Sequence, residues 1–444
     1  MLERWFHLRA NGTTVRTEVL AGGTTFLALS YILFVQPAVL STTGMDFGAV
    51  MTATCLASAF ATLLMGLSAN YPIALAPAMG HNVYFAFTVC GAVAAGGMGV
   101  PWQTALGAVF VSGLLFLGLS RFGFRERLLN AVPDSLKQAI AVGIGLLIAF
   151  VGLQWAGIVV ARPGMLVGLG HLGSAPVLLS LFGLLLTAGL VAGGHRAAIL
   201  WGITATTLAG LALGLVSYHG ILSAPPSLSP TLFKLDLRDL LSHQGLLIVF
   251  VFFFLALFDT IGTLVGVSQQ AGFLKDGRLP RAEKALTADA AGMTVGALLG
   301  TSTVTSYVES AAGAAVGGRT GLASVVTAGL FLLALFFAPL AEMVGGGYVT
   351  PEGAHLYPVI APALILVGSF MLRGVADVAW HDPTEAIPAF LTIILIPLTV
   401  SITDGIAFGL ISYTVLKLVT GRLSDAPWLI YLFAGLLAVR YLVQ

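Results

Sequence analysis

The sequence predicts an all-α polytopic membrane protein of about fourteen transmembrane segments, each some 20 residues long. Three observations predict it. Of the 444 residues, 58% are hydrophobic and 9% charged, with a mean hydropathy of +0.99. A soluble domain carries about 25% charged residues, so this supply cannot clothe a water-facing surface. Apolar runs recur along the whole chain between Pro-, Gly- and charge-bearing breaks. Lys and Arg gather at alternate breaks, as the positive-inside rule requires. The same composition excludes a disordered chain. A net charge of +1, from 20 Lys+Arg against 19 Asp+Glu, also excludes a binder of nucleic-acid phosphates, which needs a basic excess. Two cysteines, Cys55 and Cys90, make neither a disulfide framework nor a metal cluster.

Arg4, Arg9 and Arg16 precede the first run, 19–40, with no small-residue cleavage site. This reads as an uncleaved first helix whose positive flank stays in the cytoplasm, so the Asn11-Gly12-Thr13 sequon is accidental. Further runs cover 47–68, 74–90, 101–120, 133–153, 175–192 and 197–217. A polar connector follows, with Pro225, Pro226, Pro230, Lys234, Asp236, Arg238 and Asp239. The second set covers 245–267, 285–300, 302–316, 320–341, 356–372, 385–400 and 402–419. With the N-terminus inside, Arg121/Arg125/Arg127, Arg196, Lys275/Arg278/Arg281/Lys284, Arg319, Arg373 and Lys417/Arg422 all fall on the cytoplasmic side. Asp46, Arg162, the balanced connector, Glu342 and Glu352 fall opposite. A leftover piece, 427–443, reads as a fifteenth span or an interfacial helix, and Arg440 near its end favours the interfacial form.

Seven segments, a connector and seven more imply an inverted repeat, since an odd-numbered unit places its second copy upside down. The third segment of each half is short and broken. Pro72, Pro77 and Gly80 interrupt 74–90, and Gly300 with the hydroxyl run Thr301-Ser302-Thr303-Val304-Thr305-Ser306 opens 302–316. Non-helical backbone survives at membrane depth only when buried in protein or lining a cavity. Short, broken segments at matching places therefore point to a substrate site.

An ionisable group inside an apolar span costs roughly 2.5–3.5 kcal/mol. Asp259 lies deep in the eighth segment, Glu309 in the broken tenth, and Asn82 in the equivalent third. Together they offer two carboxyls and an amide around one midplane cavity. Such carboxyls can accept from N–H donors and can take up protons, because a neutral carboxyl is cheaper than a carboxylate in dry surroundings. A single acid can also merely cap a helix or pair with a hydroxyl. Asp404, in Ser401-Ile402-Thr403-Asp404-Gly405, reads as an N-cap, His81 as a hydrogen-bonded core histidine, and Asp289, near Lys284, as an interfacial or helix-start charge. Gly168-Leu169-Gly170-His171-Leu172-Gly173 has no βαβ context and reads as a loop. Gly292, Gly296 and Gly300 follow small-xxx-small spacing for close helix packing. No cofactor or nucleophile motif is present, so neither a cofactor nor enzymatic activity is expected. The charges Arg373, Asp377, His381, Asp382 and Glu385, which a membrane enzyme would want, read as a loop between spans.

Four stretches carry a resemblance. They are Leu75-Ala76-Pro77-Ala78-Met79-Gly80-His81-Asn82-Val83-Tyr84-Phe85, Phe258-Asp259-Thr260-Ile261-Gly262-Thr263, the run from Gly300 to Ser310, and Glu385–Thr392 through Thr403-Asp404-Gly405-Ile406-Ala407. With them the chain resembles the AzgA-like purine permease branch of the nucleobase–cation symporter-2 family. It departs at Ala78, where glycine is usual, and at His81, where an apolar residue is usual. The resemblance implies a core domain (19–120 and 245–341) and a gate domain (133–217 and 356–419), with the site between them at short antiparallel strands in spans 3 and 10. It implies Asp259 and Glu309 as the acidic binding and proton-coupling pair, Thr263 as their neighbour, Asn82 as the third-span polar residue and Asp404 as a gate-side acid. Backbone groups of Val83, Tyr307 and Val308 would reach the ring, with Phe85 as a stacking candidate. The implied partners are a purine nucleobase, a proton (or sodium), the lipid bilayer and a second copy of the chain, and the implied place is a bacterial inner membrane. A carboxylate accepts two N–H donors, matching the guanine edge, whereas a protonated carboxyl suits the N1/N6 edge of adenine. Guanine and hypoxanthine are favoured, with adenine the alternative. Anion transport on the same fold is disfavoured by the two acids.

Overall fold

Local chemistry sets the ends of most segments in the computed structural model, which describes residues 2–93, 96–120, 133–162, 165–195, 197–270, 273, 279–351, 353–425 and 427–443. Arg121, Arg125, Arg127, Arg196, Lys275, Arg278 and Glu352, used above to orient the chain, lie outside the described residues. Thr14 caps the first span by accepting from Thr17 N–H. The expected single helix is two, Val15–Leu29 and Ile32–Ser41. A tighter turn at Ser30–Tyr31, in which Leu33 N–H reaches Ser30 O at 3.1 Å, separates them. Asp46 caps the second span, Phe47–Leu64, which continues as a wider π turn to Ala69 and stops at Asn70 in the left-handed region (φ 54°).

The third segment is strand β1 (Leu75–Pro77) followed by a helix from Met79 to Val89. Trp102–Ser120 and Asp134–Trp155 are the fourth and fifth spans. A hairpin of β2 (Val159–Arg162) and β3 (Met165–Leu169) then leads to Ala175–Ala192 and Ala198–Ala212. Gly168 and Leu169, read above as loop, therefore end a strand.

The second half opens with His243–Gln270 and Ala282–Leu299. Gly300 closes the latter at φ +100°, where a Cβ would lie 2.2 Å from Thr231 Cβ, so no other residue fits. Strand β4 (Val304–Ser306) and the helix Ser310–Ala315 form the tenth segment. Then come Gly321–Ala334 with its continuation Ala338–Gly345, the ladder β5 (Tyr348–Val349) and β6 (His355–Leu356), and the helices Ala361–Met371, Pro383–Thr399 and Ile402–Val419. Eight described segments are long and apolar enough to cross a membrane, and Ala198–Ala212 and Pro383–Thr399 are shorter apolar helices. The chain is an integral membrane protein of the all-α class, with three two-stranded ladders added.

The central ladder joins the two halves. β1 and β4 run antiparallel, with Leu75 opposite Ser306, Ala76 opposite Thr305 and Pro77 opposite Val304. Ala78 N–H to Thr303 O and Tyr307 N–H to Ala74 O, both 2.9 Å, extend it. Thr62 on the second span accepts from Leu75 N–H (2.9 Å) and donates to Leu75 O (3.0 Å). Around the ladder pack the first, second, fourth, eighth, ninth and eleventh spans, while the fifth, sixth, seventh, twelfth, thirteenth and fourteenth pack mainly on one another. Small residues permit these contacts: Cβ atoms at Gly292 and Gly296 would meet Ala61 and Val304 at 2.6 and 2.9 Å, as the small-xxx-small spacing anticipated.

The last helix, Trp428–Val443, runs antiparallel along the fourteenth span. Tyr431 Oη donates to Leu423 O near its start, and Tyr441 Oη to Asp404 Oδ1 near its end. Phe433 also meets Phe250 of the eighth span, with ring centroids 5.1 Å apart.

Glu18 fastens the first span to the eleventh. Its buried carboxyl group accepts from the backbone N–H groups of Arg319 (2.8 Å), Thr320 (3.3 Å) and Ala323 (3.2 Å), at and just before that helix start. Glu18→Ala should lower stability by about 1–3 kcal/mol, read as an earlier thermal unfolding transition in detergent. An unchanged transition would show that solvent satisfies those donors equally well.

Candidate functional site

The two strands meet where the helices on either side are broken, and the side chains there come from four spans. Asp259 projects from the eighth span, and its Oδ2 accepts from Thr305 Oγ1 on β4 at 3.0 Å. Its side chain is 39% exposed, so a solute can reach it. Glu309 follows β4, and its Oε1 accepts from Tyr31 Oη at 2.8 Å. The turn at Ser30–Tyr31 thus brings the first span into the site. Asn82 is fully buried, accepting at Oδ1 from Ser302 Oγ and donating weakly to Met79 Sδ at 3.7 Å. Gln36 Nε2 in turn donates to Thr301 Oγ1 (2.9 Å) and Ser302 Oγ (3.1 Å). The hydroxyl run of the second half is therefore held by two spans of the first.

Asp289 is not an interfacial charge. It is fully buried, and its Oδ1 accepts from Ser306 N–H (2.8 Å) and Ser306 Oγ (2.7 Å), while Oδ2 accepts from Thr260 Oγ1. It pins the ninth span to β4 and to the residue after Asp259, and within a dry interior it lies in electrostatic range of Asp259. A sequence signal existed. Asp289 lies three residues before Gly292, on the small-residue face that packs inward. Tyr31, Thr305 and Gln36 carried no such signal.

Other expectations divide. Thr263 sits one turn after Asp259, half-buried. Val308 is 61% exposed beside Glu309, the most open of the group. Tyr307 belongs to the site's frame instead, since its N–H is spent on Ala74 O and its hydroxyl donates to Pro77 O. Val83 and Phe85 are buried, and Phe85 packs on Phe252 with ring centroids 6.3 Å apart. Asp404 is not the N-cap. Ser401 is, accepting from Asp404 N–H at 3.2 Å, and Asp404 stands apart from the strands in the first turn, bound by Tyr441. Its neighbour Thr403 reaches Tyr84 Oη at 3.3 Å. His81 is buried (3% exposed) but is not a hydrogen-bonded core histidine. Nε2 has no partner among the described residues, and Nδ1 lies 3.8 Å from Asp259 Oδ2.

Two acids of the charged stretch 373–385 are held in ion pairs. Glu385 binds the buried Lys417 at 3.0 Å, and Asp382 binds Arg422 at 2.9 Å. Hydrogen bonds from Thr384 N–H and Oγ1, with Arg422 beyond, bring the Asp382 carboxyl down to about 2, so it stays a carboxylate. These groups clamp the thirteenth span to the fourteenth. Among the described residues no cluster of His, Cys, Asp and Glu could hold a metal ion.

Asp289→Ala removes the acceptor for three donors around β4 and should cost more stability than any loss of a single bond, which is worth about 1–3 kcal/mol when a buried partner is left unpaired. Asp289→Asn, which keeps one acceptor, should retain more than half of the loss. Thermal unfolding of the two purified variants checks this. Equal transitions in both variants and the unaltered protein would remove Asp289 from the frame.

The sequence matches the Permease family (Xan_ur_permease) over residues 16–408. The adenine permease AdeP of Escherichia coli strain K12 is 47% identical over 426 residues, 96% of this chain and 92% of AdeP. The guanine/hypoxanthine permease PbuG of Bacillus subtilis strain 168 is 45% identical over 442 residues, 97% of each chain. Among solved structures, the transmembrane domain of the cyanobacterial bicarbonate transporter BicA superposes with a TM-score of 0.64 at 15% identity, covering 88% of this chain and 96% of that one. SLC26A9 gives 0.64 at 11%, covering 92% and 66%. These structural likenesses concern the fold.

Proposed function

This chain belongs to the Permease family, and we propose that it is a secondary transporter that imports purine nucleobases together with protons. One observation carries the reading: two carboxyl groups, Asp259 and Glu309, flank the β1–β4 ladder, each accepting from one hydroxyl and left partly exposed. Partly exposed acids at membrane depth select for solutes rich in N–H donors. Each acid already takes one hydroxyl donor, from Thr305 and Tyr31 respectively, and carboxylate oxygens have lone pairs to spare for a ligand. Thr263 and Val308 would complete the lining. The names of the relatives supply both purine classes, so the choice rests on chemistry. A carboxylate at Asp259 fits the two adjacent donors of guanine, and guanine with hypoxanthine is the reading taken here. Adenine, the substrate in AdeP's name, is the second. Bicarbonate-like anions are disfavoured, since two acids repel them in low dielectric.

In this reading the spans packed around the ladder are the core, and those packed on the fifth span are the gate. Protonation of Asp259 or Glu309 removes a charge whose presence at membrane depth is costly, and that change is coupled to the core sliding against the gate with the nucleobase between them. The N-terminus lies in the cytoplasm of a bacterial inner membrane, and two copies pair in the bilayer.

The test is uptake of labelled hypoxanthine in cells lacking their own purine permeases, with unlabelled guanine, adenine, xanthine and uracil as competitors. Protonophore-sensitive uptake, blocked by guanine more than by adenine, is expected. Glu309→Gln should reduce it at least tenfold, the equivalent of about 1.4 kcal/mol, and flatten its pH dependence. Blockage by adenine would move the assignment to the second reading. An undiminished rate and pH dependence in Glu309→Gln would remove that residue from coupling, and absence of both hypoxanthine and adenine uptake by membrane-inserted protein would end the purine reading.

A further inference from the structure

Among the described residues, His81 is a buried histidine whose ring makes no hydrogen bond and that stands beside a proposed substrate-binding acid. It stands on the helix that follows β1, 3.8 Å by Nδ1 from Asp259 Oδ2, and its Nε2 has no partner among the described residues. A neutral imidazole carries one N–H and one lone pair. With the N–H on Nδ1, the ring faces the same carboxylate oxygen that Thr305 already donates to at 3.0 Å. No bond at Nε2 holds the ring back from closing the remaining gap. Burial of a polar ring with no partner is costly, so its neighbour across the gap is the natural recipient. The other ionisable groups around the pair are Asp289 of the ninth span, Tyr307 and Glu309 of the tenth and Tyr31 of the first. The fifth span, which meets Gly80 through Ile144, carries Asp134 and Lys137 only in its first turn.

We propose that His81 is a positioning residue for Asp259: by donating from Nδ1 to Oδ2 it keeps that side chain an acceptor, and so biases the cavity toward heterocycles that present N–H donors. Two donors on Oδ2 leave Oδ1 to accept from a ligand. An apolar side chain at 81 supplies no donor, and the acid then serves a ligand edge that needs one donor and one acceptor. The inference deepens the purine reading and rests on it for the identity of the ligands.

Three proteins decide it: the unaltered chain, His81→Leu and His81→Asn, the last placing an amide N–H near the position of Nδ1. In competition with labelled hypoxanthine, the ratio of half-inhibiting guanine to adenine concentrations should rise roughly tenfold in His81→Leu, the worth of one hydrogen bond to a charged group. In His81→Asn it should return to within about threefold of the starting value. An unchanged ratio in His81→Leu overturns the proposal, and so does a ratio in His81→Asn equal to that of His81→Leu, which would mean ring volume alone matters. A second measurement needs no solute. The infrared carboxylate band of the lipid-reconstituted protein that disappears in Asp259→Asn should change frequency in His81→Leu. If no purine competes in the unaltered chain, the transport reading fails by itself and this band decides: moved, the His81–Asp259 pairing stands; unmoved, it falls.

Discussion

Everything in this structure is arranged around a segment of backbone that has no helix to satisfy it and no water to replace the helix. At membrane depth each unpaired N–H or C=O costs several kcal/mol, and β1 and β4 expose a row of them. They resolve this by pairing with each other, through the register Leu75–Ser306 to Pro77–Val304, and by bonding to side-chain hydroxyls and a carboxyl group around them. Thr62 serves Leu75, Ser310 serves Ala74 N–H at 3.0 Å, and Asp289 serves Ser306. Because the two strands come from opposite halves of the chain, satisfying the backbone also fixes the halves against each other. The breaks that create the ladder are what let Asn82 reach Ser302 at one end of it and Glu309 reach Tyr31 beyond the other.

The frame of this arrangement was legible in the sequence, and its reasons are local. Pro72 and Pro77 cannot sit inside a helix without cost, and the run Thr301–Ser306 offers too few helix formers, so both breaks announce themselves, whereas Gly80, expected to break the third segment, lies within its helix. Asp259 and Glu309 stand out because charges inside apolar runs are rare. What the sequence hid was long-range partnership. Nothing in Ser30–Tyr31 marks the turn that lets Tyr31 meet Glu309, because neither residue is a helix breaker. Asp289 looked like a surface charge near Lys284, and its true setting depends on Ser306 and Thr260, which only the folded chain supplies. His81 read as a hydrogen-bonded core histidine. Its solitude at Nε2 is a property of the packing around it.

Charge is distributed with an economy that separates two uses. Away from the ladder, several acids are matched by donors or cations: Glu18 on three backbone donors, and Asp382, Glu385 and Asp425 on Arg422 and Lys417. Such groups hold spans together and have little capacity left. At the ladder, Asp259 and Glu309 each have a single hydroxyl donor and remain partly open. Incomplete satisfaction at a reachable acid is stored binding capacity, and the neighbouring neutral groups, Gln36, Thr301, Ser302 and Asn82, are tied to one another and so do not compete for it.

The pairing of β1 with β4 also has a consequence for how the protein is made. The chain emerges at about 5–20 residues per second, so β1 enters the membrane ten seconds or more before β4 has been synthesised. During that interval its backbone cannot have its final partner. Thr62, on the span made immediately before, can already accept from Leu75 N–H and donate to Leu75 O, and the intact second span needs nothing from the later half of the chain to present it. The same two bonds, present in the folded protein beside the β4 pairing, would by themselves satisfy Leu75 before β4 is made.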